Sequence, residues 1–235
     1  MTLSPNQIPG LRLWLDGGDA STITADGSNK VSQWNDKGPS GLHATQGTSS
    51  IQPIYDPAKG TIGAPSSEGK LAIPIVGGSA LKWALTVFRM NQAQRPSSDG
   101  SIVCVNGYMG GSGQRNPFVG YNVATSLRCT WGSTNGQFNA VEFFAGTDYV
   151  LGQICYLLEY WAGGAHNAIL NGGAVKSTGS GATPGTGNVA GFVGDFRTGW
   201  NEFAVRTVAC GTDELTAEQI AGLVAYGAQQ AAAAS

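Results

Sequence analysis

Short runs in which apolar and polar positions alternate recur along this chain between turn-forming residues, a pattern that predicts strands packed into a sandwich or barrel. Leu11-Arg-Leu-Trp-Leu15 alternates and stops at the turn former Asp16-Gly-Gly-Asp19, and Val31-Ser-Gln-Trp34 follows the turn Asp26-Gly-Ser-Asn29. Leu81 to Met90 carries Trp83, Leu85 and Val87 on one parity and Ala84 and Phe88 on the other, so both of its faces are expected to be covered. Ile102 to Val105, Phe118 to Val123 and Val141 to Ala145 predict further strands. Gln153 to Trp161 is apolar on both parities and is placed centrally in a sheet. Asn167 to Leu170 and Gly173 to Lys176 flank Asn171-Gly172, the preferred dipeptide of a tight hairpin. Ser177 to Asn188 has loop composition, and Val189 to Phe196 and Glu202 to Cys210 complete the strands.

One helix is predicted, at the C-terminus. Thr216-Ala-Glu-Gln219 fits a capping box, Leu215 and Ile220 fit the hydrophobic staple around it, and Ile220, Leu223 and Val224 recur at helical spacing. Beyond it, Gln229 to Ser235 favours helix but offers little apolar surface to fix it. The expected organisation is an N-terminal arm (1–8), one sandwich domain (9–228) and a C-terminal tail (229–235).

Composition supports the turn-rich β reading: 36 of 235 residues are glycine and only 12% are charged. A chain of this size buries roughly 70% of its unfolded surface, enough for one self-sufficient core. The net charge of -2 gives no electrostatic footprint for nucleic acid, and no apolar run approaches a membrane span. The first ten residues lack the basic start and apolar stretch of a secretory signal, so cytoplasmic synthesis is expected. Cys104, Cys129, Cys155 and Cys210 lie far apart in apolar stretches, wrong for a zinc site and expected as reduced, buried thiols.

Several separated motifs resemble, in order, the laminin-G-like jelly-roll domains of the concanavalin A-like lectin/glucanase superfamily. They are Pro9-Gly-Leu-Arg-Leu-Trp-Leu-Asp16, Asp19-Ala-Ser-Thr-Ile23, Val31-Ser-Gln-Trp-Asn-Asp-Lys-Gly38 and His43-Ala-Thr-Gln46, then the Leu170-Asn-Gly-Gly173 hairpin and the closing Trp200-to-Val205 and Leu215-to-Ile220 segments. Between Pro57 and Pro74 the chain departs from the family pattern. The resemblance implies an all-β, antiparallel two-sheet jelly-roll sandwich with one C-terminal helix. Such folds host lectins, adhesins, glycosidases and virion proteins alike.

Glycoside hydrolysis needs two carboxylates across one bond. No glutamate here has another acid two positions away, and Glu142, Glu159 and Glu202 sit alone in β segments, where edge or solvent-facing positions are expected. His43 is expected to bond backbone, and His166, in Ala162-Gly-Gly-Ala-His-Asn167, to lie exposed in a loop. Asp16, Asp19, Asp26 and Asn29 offer hard oxygens that suit calcium, but their places in glycine turns need no ion, and no cofactor is expected. Sugar binding needs exposed aromatics beside amides or charges. Tyr108 and Arg115, in the glycine-rich loop Gly107 to Arg115, are the first candidates, with Trp131, Tyr149 and Trp200 beside them. Loop aromatics also serve as protein-interface anchors, whereas Trp14, Trp34, Trp83 and Trp161 read as core.

With no paired acids in sight, the expectation is a non-enzymatic structural or binding protein. The resemblance favours a bacteriophage virion surface component, a capsid decoration or other head or tail part, docking on other virion proteins as a homo-oligomer or arrayed copies. Its alternative is a carbohydrate-binding module or adhesin that grips surface glycans.

Overall fold

The computed structural model describes residues 2–63, 69–74, 76, 81–90, 101–106, 116–121, 126–132, 138–178, 191–194 and 203–235. In chain order the strands begin with β1 (Leu11–Asp16), β2 (Ile23–Ala25), β3 (Val31–Trp34), β4 (Ala44–Thr45), β5 (Ile54–Asp56) and β6 (Thr61–Gly63). They continue with β7 (Lys70–Ile73), β8 (Trp83–Met90), β9 (Ser101–Asn106), β10 (Asn116–Tyr121), β11 (Ser126–Gly132) and β12 (Phe138–Phe144). The last are β13 (Ile154–Ala162), β14 (Ala165–Leu170), β15 (Lys176–Thr178), β16 (Gly191–Gly194) and β17 (Phe203–Gly211), followed by helix α1 (Ala217–Ala233).

The strands pair into two antiparallel sheets. One runs β15-β14-β13-β8-β17-β6-β5, with β1 also on β17; the other runs β12-β11-β10-β9-β16-β7-β4-β3-β2. This is an all-β two-sheet sandwich with a C-terminal helix, as the alternation predicts. Parity sorts the side chains. Leu13, Leu15, Phe88, Met90, Leu157, Leu170, Val205 and Val208 face Trp34, Leu71, Ile73, Val103 and Leu127 of the second sheet to form the main core. Trp14, Trp83, Leu85, Leu158, Tyr160 and Ile169 form a second core with Ile8, Leu215, Leu223 and Tyr226. The two-sided burial of β8 and β13 therefore has a physical cause: the second sheet covers one face, and the helix with the N-terminal segment covers the other. Trp14, Trp34, Trp83 and Trp161 are all buried.

The helix starts where the capping box places it, with Gln219 N donating to Thr216 Oγ1 and Thr216 N to Gln219 Oε1. It then runs without a break to Ala233, and Ala231 and Ala234 in the segment read as a tail are buried. Gly227 sits mid-helix, where glycine costs about 1 kcal/mol relative to alanine. A Cβ there would lie 2.8 Å from the Tyr156 ring, so its absence is what lets the helix lie close on β13.

The early motif is held by one carboxylate. Asp36 accepts from the backbone N–H groups of Trp14, Gly38 and Leu42 at 2.7–2.9 Å, while its own N–H donates to His43 Nδ1 at 3.1 Å. This fulfils the structural expectation for His43.

Three elements differ from expectation. Residues 126–132 form β11, a strand that places the backbone of Trp131 in a sheet instead of a loop. Gly163 and Gly164, both with positive φ, make a two-residue turn between β13 and β14, so His166 belongs to a strand. The Asn171-Gly172 turn forms, but β15 begins at Lys176, and Ser177 and Thr178 belong to it while the remainder of the loop read at 177–188 lies outside the described residues.

Candidate functional site

A cleft of about 500 Å³ opens on the helix side of the first sheet, lined by Lys59, Arg89, Gly152, Gln153, Ile154, Ala234 and Ser235. Arg89 shares the parity of Trp83 and Leu85, but lies near the strand's end, past the apolar part of that face. Lys59 is presented by a turn in which Asp56 Oδ1 accepts from Ala58 N at 3.0 Å. Arg206 fastens that turn to the helix: its guanidinium donates to the Lys59 carbonyl, and its Nε donates to Gln230 Oε1 at 2.9 Å. Gly152 N donates to the Met90 carbonyl at 2.7 Å and fixes the far wall. No acidic side chain among the described residues lines the cleft. Among the described residues neither Lys59 nor Arg89 has an ion-pair partner, and the buried Nε of Arg89 has no acceptor. The arrangement can receive an anionic group.

The sugar-binding candidates are distributed unevenly. Tyr108, Arg115 and Trp200 lie outside the described residues, as does the side chain of Trp131. The strands flanking two of these segments share one end of the second sheet, where Asn106 pairs with Asn116 and Gly132 with Phe138. The segment containing Trp200 leads into Phe203, which pairs with Met90 beside the cleft. Tyr149 must be corrected. It is 4% exposed in the main core, and burial, with Cys155 and Asp148 nearby, pushes its phenol up to about 12. It offers no stacking surface.

The oxygen groups considered for calcium have other work. Lys37 Nζ sits between Asp16 Oδ2 at 3.2 Å and Asp19 Oδ2 at 2.9 Å, and 4.5 Å above the Trp14 ring. Hydrogen bonds from Ser21 and Lys37 hold Asp19 below the usual carboxylate range. Asp26 accepts from Lys30 N and Ser28 N, which likewise lower it, and Asn29 takes the positive-φ position of that turn. No cluster of three metal-ligating side chains occurs among the described residues.

An acid and a histidine lie where the sequence pattern does not place them. Glu159 and His166, expected at an edge and in a loop, are 1% and 0% exposed and meet at 3.1 Å inside the sandwich. Burial holds the Glu159 carboxyl above its ordinary range, against the lowering effect of His166. Glu142 instead faces Arg128 across the β11–β12 pair at 2.9 Å and is half-buried, while Glu202 lies outside the described residues. Cys129, Cys155 and Cys210 are buried and free, and burial raises all three thiols, which leaves them inert; the side chain of Cys104 is outside the described residues. The Gly163-Gly164 dipeptide between two strand-like segments was the available signal for the Glu159–His166 pair.

No protein-family model and no curated protein sequence matches the chain. Solved structures do. The sandwich is similar to the binding domain of botulinum neurotoxin serotype G, at 13% identity and a TM-score of 0.67, covering 92% of this chain and 51% of that one. The serotype D binding domain gives 12% identity and a TM-score of 0.64, covering 93% and 51%. Trypanosoma rangeli sialidase in complex with sialic acid gives 14% identity and a TM-score of 0.60, covering 92% of this chain and 33% of that one. The chain thus spans about half of the toxin binding domains and a third of the sialidase, and the likeness is one of fold. The sialidases overturn the expectation of a non-enzyme: this sandwich occurs within enzyme chains, so acid spacing along the sequence cannot exclude catalysis. A lectin-like jelly roll fits these likenesses, but none of them ties the chain to bacteriophage proteins or to laminin-G-like domains in particular, so the expected virion role and virion partners rest on the sequence resemblance alone.

Proposed function

We propose that this chain is a carbohydrate-binding module that recognises surface glycans. One observation carries the reading: the whole sandwich superposes on two toxin binding domains with TM-scores of 0.64 and 0.67 over more than nine-tenths of its length. A sialidase solved in complex with sialic acid carries a similar sandwich over a third of its length, which supports a sugar as the ligand. Tyr108, Arg115, Trp131 and Trp200 are the proposed contact residues, residue types that offer aromatic faces to sugar rings and a guanidinium to their hydroxyl groups. The cleft at Arg89 adds a polar, cationic surface to the same sandwich. Presenting the intact protein to an array of surface glycans tests the proposal. Retention on a defined set of sugars is expected, and retention on none contradicts it.

A further inference from the structure

The geometry points to the cleft between Arg89, Lys59 and the end of helix α1 as a binding site for a carboxylate-bearing sugar. The clause that the ligand is a sugar rests on the carbohydrate-binding reading; the recognition of an anion stands on the cleft itself.

In a chain with few charges, Lys37, Lys82, Arg128 and Lys176 each sit against a carboxylate. Among the described residues Arg89 and Lys59 have no such partner, yet both line one cleft into which no described acidic side chain projects. Arg89 Nε is buried and has no acceptor among the described residues, so the guanidinium has hydrogen-bonding capacity that this structure leaves unused. Attraction to the carbonyl end of the helix accounts for cations gathering there. It does not account for the vacant donor, because no carbonyl of that last turn accepts from Arg89 or Lys59: the Ala231 carbonyl is taken by Ala234 N and Ser235 Oγ. A guanidinium fork holds a carboxylate through two parallel hydrogen bonds, and an ammonium adds a point charge. Gln153 brings an amide suited to hydroxyl groups, and Ile154 an apolar wall. A volume of about 500 Å³ falls in the range of small-ligand sites.

The test uses the intact protein, glucuronate as the acidic probe, glucose as its neutral counterpart and inorganic sulfate as a free anion. Binding is read by calorimetry and by amide NMR shifts at Gly152, Gln153 and Ile154. Glucuronate is expected to bind, to move those amides and to weaken as salt is raised, while glucose leaves them unmoved. Arg89→Gln is expected to lower glucuronate affinity at least tenfold, with Arg89→Lys restoring only part. Should Arg89→Gln fail to fold, Lys59→Gln, a side chain on a surface turn, is expected to lower affinity severalfold. Unmoved amides, affinity indifferent to both substitutions, or sulfate binding as tightly as glucuronate would each overturn the proposal. If wild type holds neutral glycans on an array but not glucuronate, the cleft proposal falls and the module reading stands. If glucuronate titrates the cleft while the array stays blank, the anion contact stands and the module reading falls.

Discussion

Glu159 Oε1 and His166 Nε2 lie 3.1 Å apart in the interior of the sandwich, on neighbouring strands whose inward parity also carries Leu157, Ala168 and Leu170. A carboxyl group among aliphatic side chains is tolerated only while its partner meets it. Cys129, on the facing sheet, feels the Glu159 charge, which adds to burial in raising its thiol.

His166→Leu should therefore cost about 3–5 kcal/mol, because it leaves a buried acid without its partner. Replacing both residues by leucine should cost clearly less than the sum of the two single changes. Urea unfolding of the four proteins measures this, and strict additivity would show that the pair is not coupled.

The same pair has a signed pH dependence. The folded Glu159 carboxyl holds its proton to higher pH than the unfolded value of 4.5, so its contribution to stability is complete below that value. It is lost as pH rises through the raised folded value. Wild type should accordingly lose stability relative to Glu159→Gln as pH rises out of the acid range. A difference that stays flat, or grows in favour of wild type, contradicts this assignment.

Tyr149→Phe should be neutral or stabilising by up to about 1 kcal/mol, since the buried phenol oxygen has no hydrogen-bond partner among the described residues. It should also leave sugar binding unchanged. A drop in thermal stability of several degrees would show that the hydroxyl has a partner.

Asp36→Ala removes the acceptor of three backbone donors at once and should cost at least about 3 kcal/mol. Asp36→Asn keeps one acceptor oxygen and should cost less. Equal losses in the two variants, compared by thermal denaturation, would show that charge and not acceptor count matters here.

Much of the fold was legible because it depends on local pattern. The two-sided apolar run of β8, the Thr216 capping box and the Asn171-Gly172 turn each carry their own signal within a few residues. What was not legible depended on neighbours distant in sequence. His166 reads as a loop residue until Gly163-Gly164 closes a turn that sends it back beside Glu159. Tyr149 follows Thr147 and Asp148 after β12, and its place in the main core comes from packing that the local sequence does not show. Arg89 ends an apolar strand without any motif, and its cleft exists because the helix stops over it. The acids misled for the same reason: sheet registry, not spacing along the chain, decides which carboxylates meet.

The most direct trial of the central claim is equilibrium titration of the intact protein with the best glycan from an array, beside a Tyr108→Ala, Trp131→Ala double variant of matched melting temperature. The account predicts saturable binding by wild type and at least a tenfold loss in the variant. Binding untouched by both substitutions, or no sugar bound by wild type at any concentration tested, would contradict it.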